Sequence, residues 1–466
     1  MARRHEIDFT EGPLIKKMII YALPIIGVNV LQLLFGAADI AVLGIFTNDQ
    51  AVAAVGATTN IINLLLGFFT GMSVATNVFV ARAMGAKDKD GARRFVGTSV
   101  AMSLLCGVII SVVGIILSEK MLIWTNCDEK VLPYAIKYLR IYMLGTPIIL
   151  LYNFCASILR AVGDTLRPLI FLMASGVANV GLNVFFVVVV GWDIEGVAIA
   201  TVASQAISAV CSIVLMFKND GFAHLSLGNI RLRKNEVLNL FKVGIPLGAS
   251  KITFSFANVI IYSKLNLLGD LVMAANSIAK EFDAFILEIL HGFSLAALAI
   301  ISQNLGAKKM PRIKKTIFVS SFLVTVIGIA LGVLLFFFSD NLCDIMTDTP
   351  EVIEYGVIRL VFVGCLYFIC GIVNVIQESI RGLGYSNTSL VISIIANIAF
   401  RIFWILVIYP MLYVEGELMR NYTIICLVWP LSWCVSLLLG SVTLVYLFKK
   451  TNARVNAEIE KAQLTA

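Results

Sequence analysis

One carboxylate sets the chemical question. Asp39 lies in the run LLFGAADIAVLG, inside an apolar stretch at residues 18–45, with no Lys or Arg within a turn or two. A charge at such a depth costs about 2.5–3.5 kcal/mol on insertion scales unless it is neutralised, paired or ion-bound. A residue of that kind can exchange a proton or balance a bound Na⁺; the structural alternative is a protonated Asp hydrogen-bonded to a neighbouring helix. Asn179 and Asn183 lie four residues apart in a later apolar run, and that interval stacks them on one helix face. Their amide oxygens can coordinate Na⁺, making Asp39, Asn179 and Asn183 the candidate metal ligands, or accept from a protonated Asp39. The same amides can equally serve as polar links between helices.

The elements that must position these groups are membrane helices. Hydrophobic residues make up 59% of the chain and charged residues 14%, with a mean hydropathy of +0.93, so a bilayer is the expected solvent. Residues 1–17 are too polar and too acidic for a signal peptide. Apolar runs that can cross about 30 Å of hydrocarbon fall near 18–45, 52–82, 95–117, 134–159, 168–190, 196–217, 237–266, 272–303, 315–338, 353–380, 387–413 and 421–447, giving twelve spans. Connections after the even-numbered spans are basic, as in Lys87/Lys89/Arg93/Arg94 and Lys308/Lys309/Arg312/Lys314/Lys315, while the others are acidic or nearly neutral. The positive-inside rule then places both termini in the cytoplasm of a multi-pass inner (plasma) membrane protein. The net charge of +7 reports this topology, not nucleic-acid binding. The nine cysteines are scattered without CxxC spacing and read as small buried hydrophobes.

A duplication orders the spans. GMSVATNVFVARAMGAK, Gly71 to Lys87, returns as GFSLAALAIISQNLGAK, Gly292 to Lys308, and Arg160-Ala-Val-Gly163 returns as Arg381-Gly-Leu-Gly384, both at an offset of 221 residues. Six spans per copy make the repeat parallel, about an axis along the membrane normal. The expected organisation is an all-α polytopic protein: a six-helix lobe at 1–217, a linker at 218–236, a second six-helix lobe at 237–447 and a tail at 448–466. The two Gly-Ala-Lys segments are expected to end their helices as C-caps.

The Pro24-to-Asp39 spacing, the two glycine-to-lysine repeats and the Arg160 and Arg381 loop motifs together resemble the multidrug and toxic compound extrusion (MATE) transporters, DinF-like or NorM-like, from about Gly12 to Lys450. The resemblance implies two six-helix lobes around a cavity that faces each side of the membrane in turn, with organic cations or drugs exported against inward Na⁺ or H⁺. It also implies a cation-coupling set in the first lobe, an acid of helix one near polar residues of helices five and six, which Asp39, Asn179, Asn183 and Thr201 match by position. DinF-like members can carry a second acid where this chain has Asn183, and this departure weakens a two-carboxylate proton relay. Na⁺ or H⁺ is then the coupling ion and no cofactor is implied; a monomer is expected.

The second copy differs at these positions. Ile261 stands opposite Asp39, Asn397 opposite Asn179 and Arg401 opposite Asn183, while Glu288 stands opposite Gly67. Glu288 and Arg401 are expected to form a structural ion pair; in the competing reading Glu288 anchors the cationic substrate. Enzyme chemistry is not expected, because the sequence contains no GxxxxGK[ST], HExxH or GxSxG motif. Two alternatives to antiport remain: a flippase for lipid-linked saccharides, for which a cavity rich in Arg and Lys and extra spans would be expected, and a membrane receptor that transports nothing.

Overall fold

The computed structural model describes residues 6–464, and all regular structure among them is helical. Among the described residues ten helices are long and apolar enough to cross a membrane, and two bent helix pairs bring the number to twelve. In order they are α1 (Leu14–Phe46), α2 (Asp49–Gly85), α3 (Lys89–Trp124), the pair α4 (Leu132–Leu144) and α5 (Thr146–Ala161), α6 (Leu166–Val189) and α7 (Ile194–Phe217). The second series is α8 (Lys234–Asn266), α9 (Asp270–Gly306), α10 (Met310–Asp344), the pair α11 (Pro350–Gly364) and α12 (Tyr367–Gly382), α13 (Ser386–Leu412) and α14 (Leu418–Leu464). The twelve spans expected from hydropathy are therefore present, two of them broken.

The chain separates into two compact units. One holds Leu23–Gly248 together with the chain up to Phe9, and the other holds Thr10–Ala22 and Ala249 onward. In the first unit α2 packs on α3, α4 and α5, and α7 packs on α4, α5 and α6. Ile61, Met72, Met102, Leu139 and Leu150 form part of its apolar core. In the second unit α9 packs on α10, α11 and α12, while α13 packs on α12 and α14. Each unit also shows bare apolar side chains, such as Ile116 (69% exposed) and Phe337 (69%), on a surface that lipid rather than water must cover.

The duplication is visible in backbone detail. The α4–α5 pair bends by 49° at Gly145, and the α11–α12 pair bends by 45° at the corresponding break. A Cβ on Gly107 would lie 2.4 Å from the Cα of Pro147, and one on Gly328 would lie 2.6 Å from the Cα of Phe368. These four residues match at the repeat offset of 221, so the same helix contact, closed by a missing side chain, is made once in each unit. Gly163 and Gly384, the last residues of the repeated arginine motifs, both take positive φ, +88° and +98°.

At the Gly-Ala-Lys repeats the helices do end, but lysine rather than glycine takes the left-handed position. Lys87 has φ 58° and Lys308 φ 57°. Asp88 N donates to Ala83 O (2.9 Å) and Lys87 N to Met84 O (3.0 Å), and in the other copy Lys309 N donates to Asn304 O (2.9 Å) and Lys308 N to Leu305 O (3.1 Å). This is the Schellman pattern, with its 6→1 and 5→2 bonds. Gly85 and Gly306 are the last residues of their helices. A residue with a Cβ in the left-handed region costs about 1–2 kcal/mol, of which glycine's extra chain entropy would return part. Lys87→Gly should therefore raise stability by about 0.5–1 kcal/mol; a lowered melting temperature of the purified variant would show that the lysine side chain contributes more than the strain it causes.

Candidate functional site

Asp39 occupies the second half of α1 and is 7% exposed. It meets α6 because of a close contact one turn earlier: Gly176 leaves so little room that a Cβ there would lie 1.8 Å from the Phe35 ring. With α1 seated on α6 in this way, Asn183 Nδ2 donates to Asp39 Oδ1 at 2.6 Å and to Asn179 Oδ1 at 3.3 Å. From α7, Thr201 Oγ1 lies 3.1 Å from Asp39 Oδ2 and 2.9 Å from the carbonyl of Val197, and it accepts from Asn179 Nδ2 at 3.4 Å. Two hydroxyl-to-carbonyl bonds hold α6 to α7 beside the cluster: Ser175 Oγ to Ser204 O (2.5 Å) and Ser208 Oγ to Phe171 O (3.0 Å). Asn183 is wholly buried, and α6 passes from α-helical to π-helical winding two residues later, over Phe185–Val189. Such turns recur at functional sites because the extra residue re-aims the side chains around them.

All four residues expected as the cation-coupling set thus converge on one point. Asp39 Oδ1 and Oδ2, Asn179 Oδ1, Asn183 Oδ1 and Thr201 Oγ1 are hard oxygen donors, and Asn183 Oδ1 is buried without a hydrogen-bond partner among the described residues. A group of three or more His, Cys, Asp or Glu side chains able to hold a metal does not occur among the described residues. The cluster has the composition for a proton or an alkali cation rather than for a transition metal.

The second unit corrects the expected ion pair. Glu288, about one-third exposed, has His291 Nδ1 at 3.7 Å. Arg401 is fully buried and donates from Nε to Ser432 Oγ (3.1 Å) and from Nη1 to Asn258 Oδ1 (2.9 Å). The two expected partners do not pair: the main contacts of α9 are with α10, α11 and α12 and those of α13 with α12 and α14, and positional equivalence placed both residues in one bundle without fixing which side chains meet. A buried ion pair does form elsewhere in this unit, between Asp283 and Arg359, 2.7 Å apart and each less than 5% exposed. Arg359 also donates to Asn276 O (3.3 Å) and lies 4.5 Å from the centre of the Trp429 ring. Both residues stand in apolar runs of the sequence, and the detectable signal was their opposite sign in spans that neighbour each other in a six-helix lobe. Removing one partner of a buried pair typically costs about 3–5 kcal/mol. Asp283→Asn and Arg359→Gln should each lose that much in thermal or denaturant unfolding, and the double variant should recover much of it. Strictly additive losses would mean that the two charges are stabilised separately.

Comparison with known proteins agrees with this architecture. The MatE family model matches residues 24–185 and again 246–407. A probable multidrug resistance protein of Bacillus subtilis (strain 168), YpnP, is 25% identical over 399 residues, covering 86% of this chain and 88% of the relative. The multidrug export protein MepA of Staphylococcus aureus (strain MSSA476) is 22% identical over 446 residues, 95% of each chain. Among solved structures, an outward-facing multidrug resistance MATE family transporter of the MOP superfamily superimposes with a TM-score of 0.87 at 19% identity, covering 96% of this chain and 100% of that one. With the family model matched once in each copy of the repeat, the chain belongs to the MatE family.

Proposed function

We propose that the chain is a secondary antiporter that exports organic cations or drugs in exchange for Na⁺ or H⁺ by alternating access, with both termini on the cytoplasmic side. The substrate class follows the relatives, which are named as multidrug resistance and export proteins. The observation that carries the coupling role is the enclosure of Asp39 by Asn183, Asn179 and Thr201. An ionised carboxylate at this depth needs donors, and Asn183 Nδ2 with the Thr201 hydroxyl supplies two. Protonation reverses one of these bonds: Asp39 then donates to Thr201 Oγ1, and Thr201 gives its own hydrogen to Val197 O, 2.9 Å away. Na⁺ as cargo would draw on oxygens instead. Rotation of the Asn183 amide turns its unpartnered Oδ1 towards Asp39, and Asn179 Oδ1 and Thr201 Oγ1 complete a set suited to a hard monovalent ion. In either case one negative charge is filled and emptied in turn, which is the requirement for exchanging cations.

Cationic dye efflux from inverted vesicles, under separately imposed Na⁺ and pH gradients, tests the reading. Asp39→Asn should insert and accumulate normally yet abolish coupled efflux, because an amide neither ionises nor balances a cation, and Asp39→Glu should retain part of the activity. Export up a gradient at the normal rate by Asp39→Asn would remove the coupling role.

The amides give a second measurement in the same vesicles. Replacing both Asn179 and Asn183 with Leu should remove Na⁺-dependent transport, whereas Asn183→Asp should shift the balance towards proton coupling. A double Leu variant with unchanged ion dependence would reassign both residues to packing.

A further inference from the structure

Arg401 heads the large side chains buried without measurable exposure. It stands near the middle of α13, in a single α-helical turn (Phe400–Phe403) between two π-helical stretches, Ile394–Ala399 and Trp404–Ile408. Its surroundings supply neutral groups: Ser432 Oγ, Asn258 Oδ1 and the ring of Phe254, 5.5 Å from Cζ. Nη2 is buried and has no hydrogen-bond partner among the described residues. Among the described residues no acid lies within ion-pair distance of Arg401: Asp283 pairs with Arg359 and Glu378 with Arg381, and Glu288 has His291 at 3.7 Å. A guanidinium keeps its proton in a protein, and a buried charge left without a counter-charge costs several kcal/mol. A full positive charge therefore stands at membrane depth with one of its donors open.

Asn258 adds to that donor set. Its Oδ1 accepts both from Arg401 Nη1 and from Trp429 Nε1, 3.3 Å away. The amide is thereby fixed with its oxygen towards the arginine and the indole, and the Nδ2 hydrogens have no acceptor among the described residues.

We propose that Arg401 Nη2 and Asn258 Nδ2 bind one small monovalent anion of the halide class within the second unit. One uncompensated positive charge calls for one negative charge, and a divalent oxyanion would leave an excess of the opposite sign. The enclosure of Nη2 favours a single atom over a carboxylate carried on a larger molecule. A water molecule would fill the hydrogen bond but leave the charge. This site involves none of the residues around Asp39, so it stands whether or not Asp39 couples transport.

The test uses the full chain purified in detergent. Its melting temperature is followed as chloride or bromide replaces gluconate at fixed Na⁺ concentration and ionic strength. The wild-type protein should show a saturable rise, Asn258→Ala should need roughly tenfold more halide for half the effect, as for loss of one hydrogen bond to a charged group, and Arg401→Gln should be insensitive. Should Arg401→Gln fail to fold, wild-type crystals grown in bromide decide the matter through an anomalous scattering peak at hydrogen-bonding distance from Nη2. Equal melting temperatures in chloride and gluconate, an undiminished halide effect in a folded Arg401→Gln, or an empty bromide map would each overturn the proposal.

Discussion

Burying charge among lipid-facing helices is the constraint on which the rest of this structure depends. Hydrocarbon offers neither donors nor dielectric, so each ionisable group at depth must be met by protein, by an ion or by a proton. The protein answers this demand differently in its two units. In the first, a carboxylate is surrounded by amides and a hydroxyl, all of which adapt to either charge state by rotating. In the second, Asp283 and Arg359 neutralise one another with a direct 2.7 Å contact, and Arg401 is held by neutral partners. A neutralised pair has little electrostatic reason to change state, whereas a lone acid at depth must be met by rotatable dipoles, a proton or an ion. The asymmetry sets a buried ion pair in one copy of the repeat against a lone acid among polar neutral groups in the other.

Gene duplication explains how one chain carries both. The contacts common to the copies are backbone contacts: the Gly107–Pro147 approach and its Gly328–Phe368 counterpart, the two bent pairs, and the left-handed Lys87 and Lys308. These set where helices lie and how they end. Side chains aimed into each bundle could then diverge without disturbing the frame, which is why Ile261 and Arg401 can stand where the first copy has Asp39 and Asn183.

What was legible in the sequence follows the same division. Span number and the repeat were readable because hydropathy and self-similarity are properties of contiguous residues. Asp39 was readable because its cost in the membrane does not depend on its neighbours, and the Asn179–Asn183 face because four residues make one helical turn. Thr201 came from family resemblance, since a hydroxyl in an apolar helix usually bonds its own backbone, as this one also does through Val197. The partner of Glu288 was not readable, because pairing across helices depends on which faces meet, and the packing of α9 and α13 is set by contacts spread over several helices. The Gly-Ala-Lys segments were legible as helix ends, whereas the residue that takes positive φ was not: it is Lys87 and Lys308, two positions after Gly85 and Gly306.

The Thr201 hydroxyl has a single hydrogen and two acceptors, Asp39 Oδ2 at 3.1 Å and Val197 O at 2.9 Å. When the carboxylate claims that hydrogen, the carbonyl one turn back along α7 loses its side-chain bond; when the acid is filled, the carbonyl regains it. A hydroxyl bonded to the preceding turn bends a helix slightly. Under the exchange proposed for Asp39, the charge on α1 would thus be passed to the curvature of a different helix through the rotation of one O–H bond.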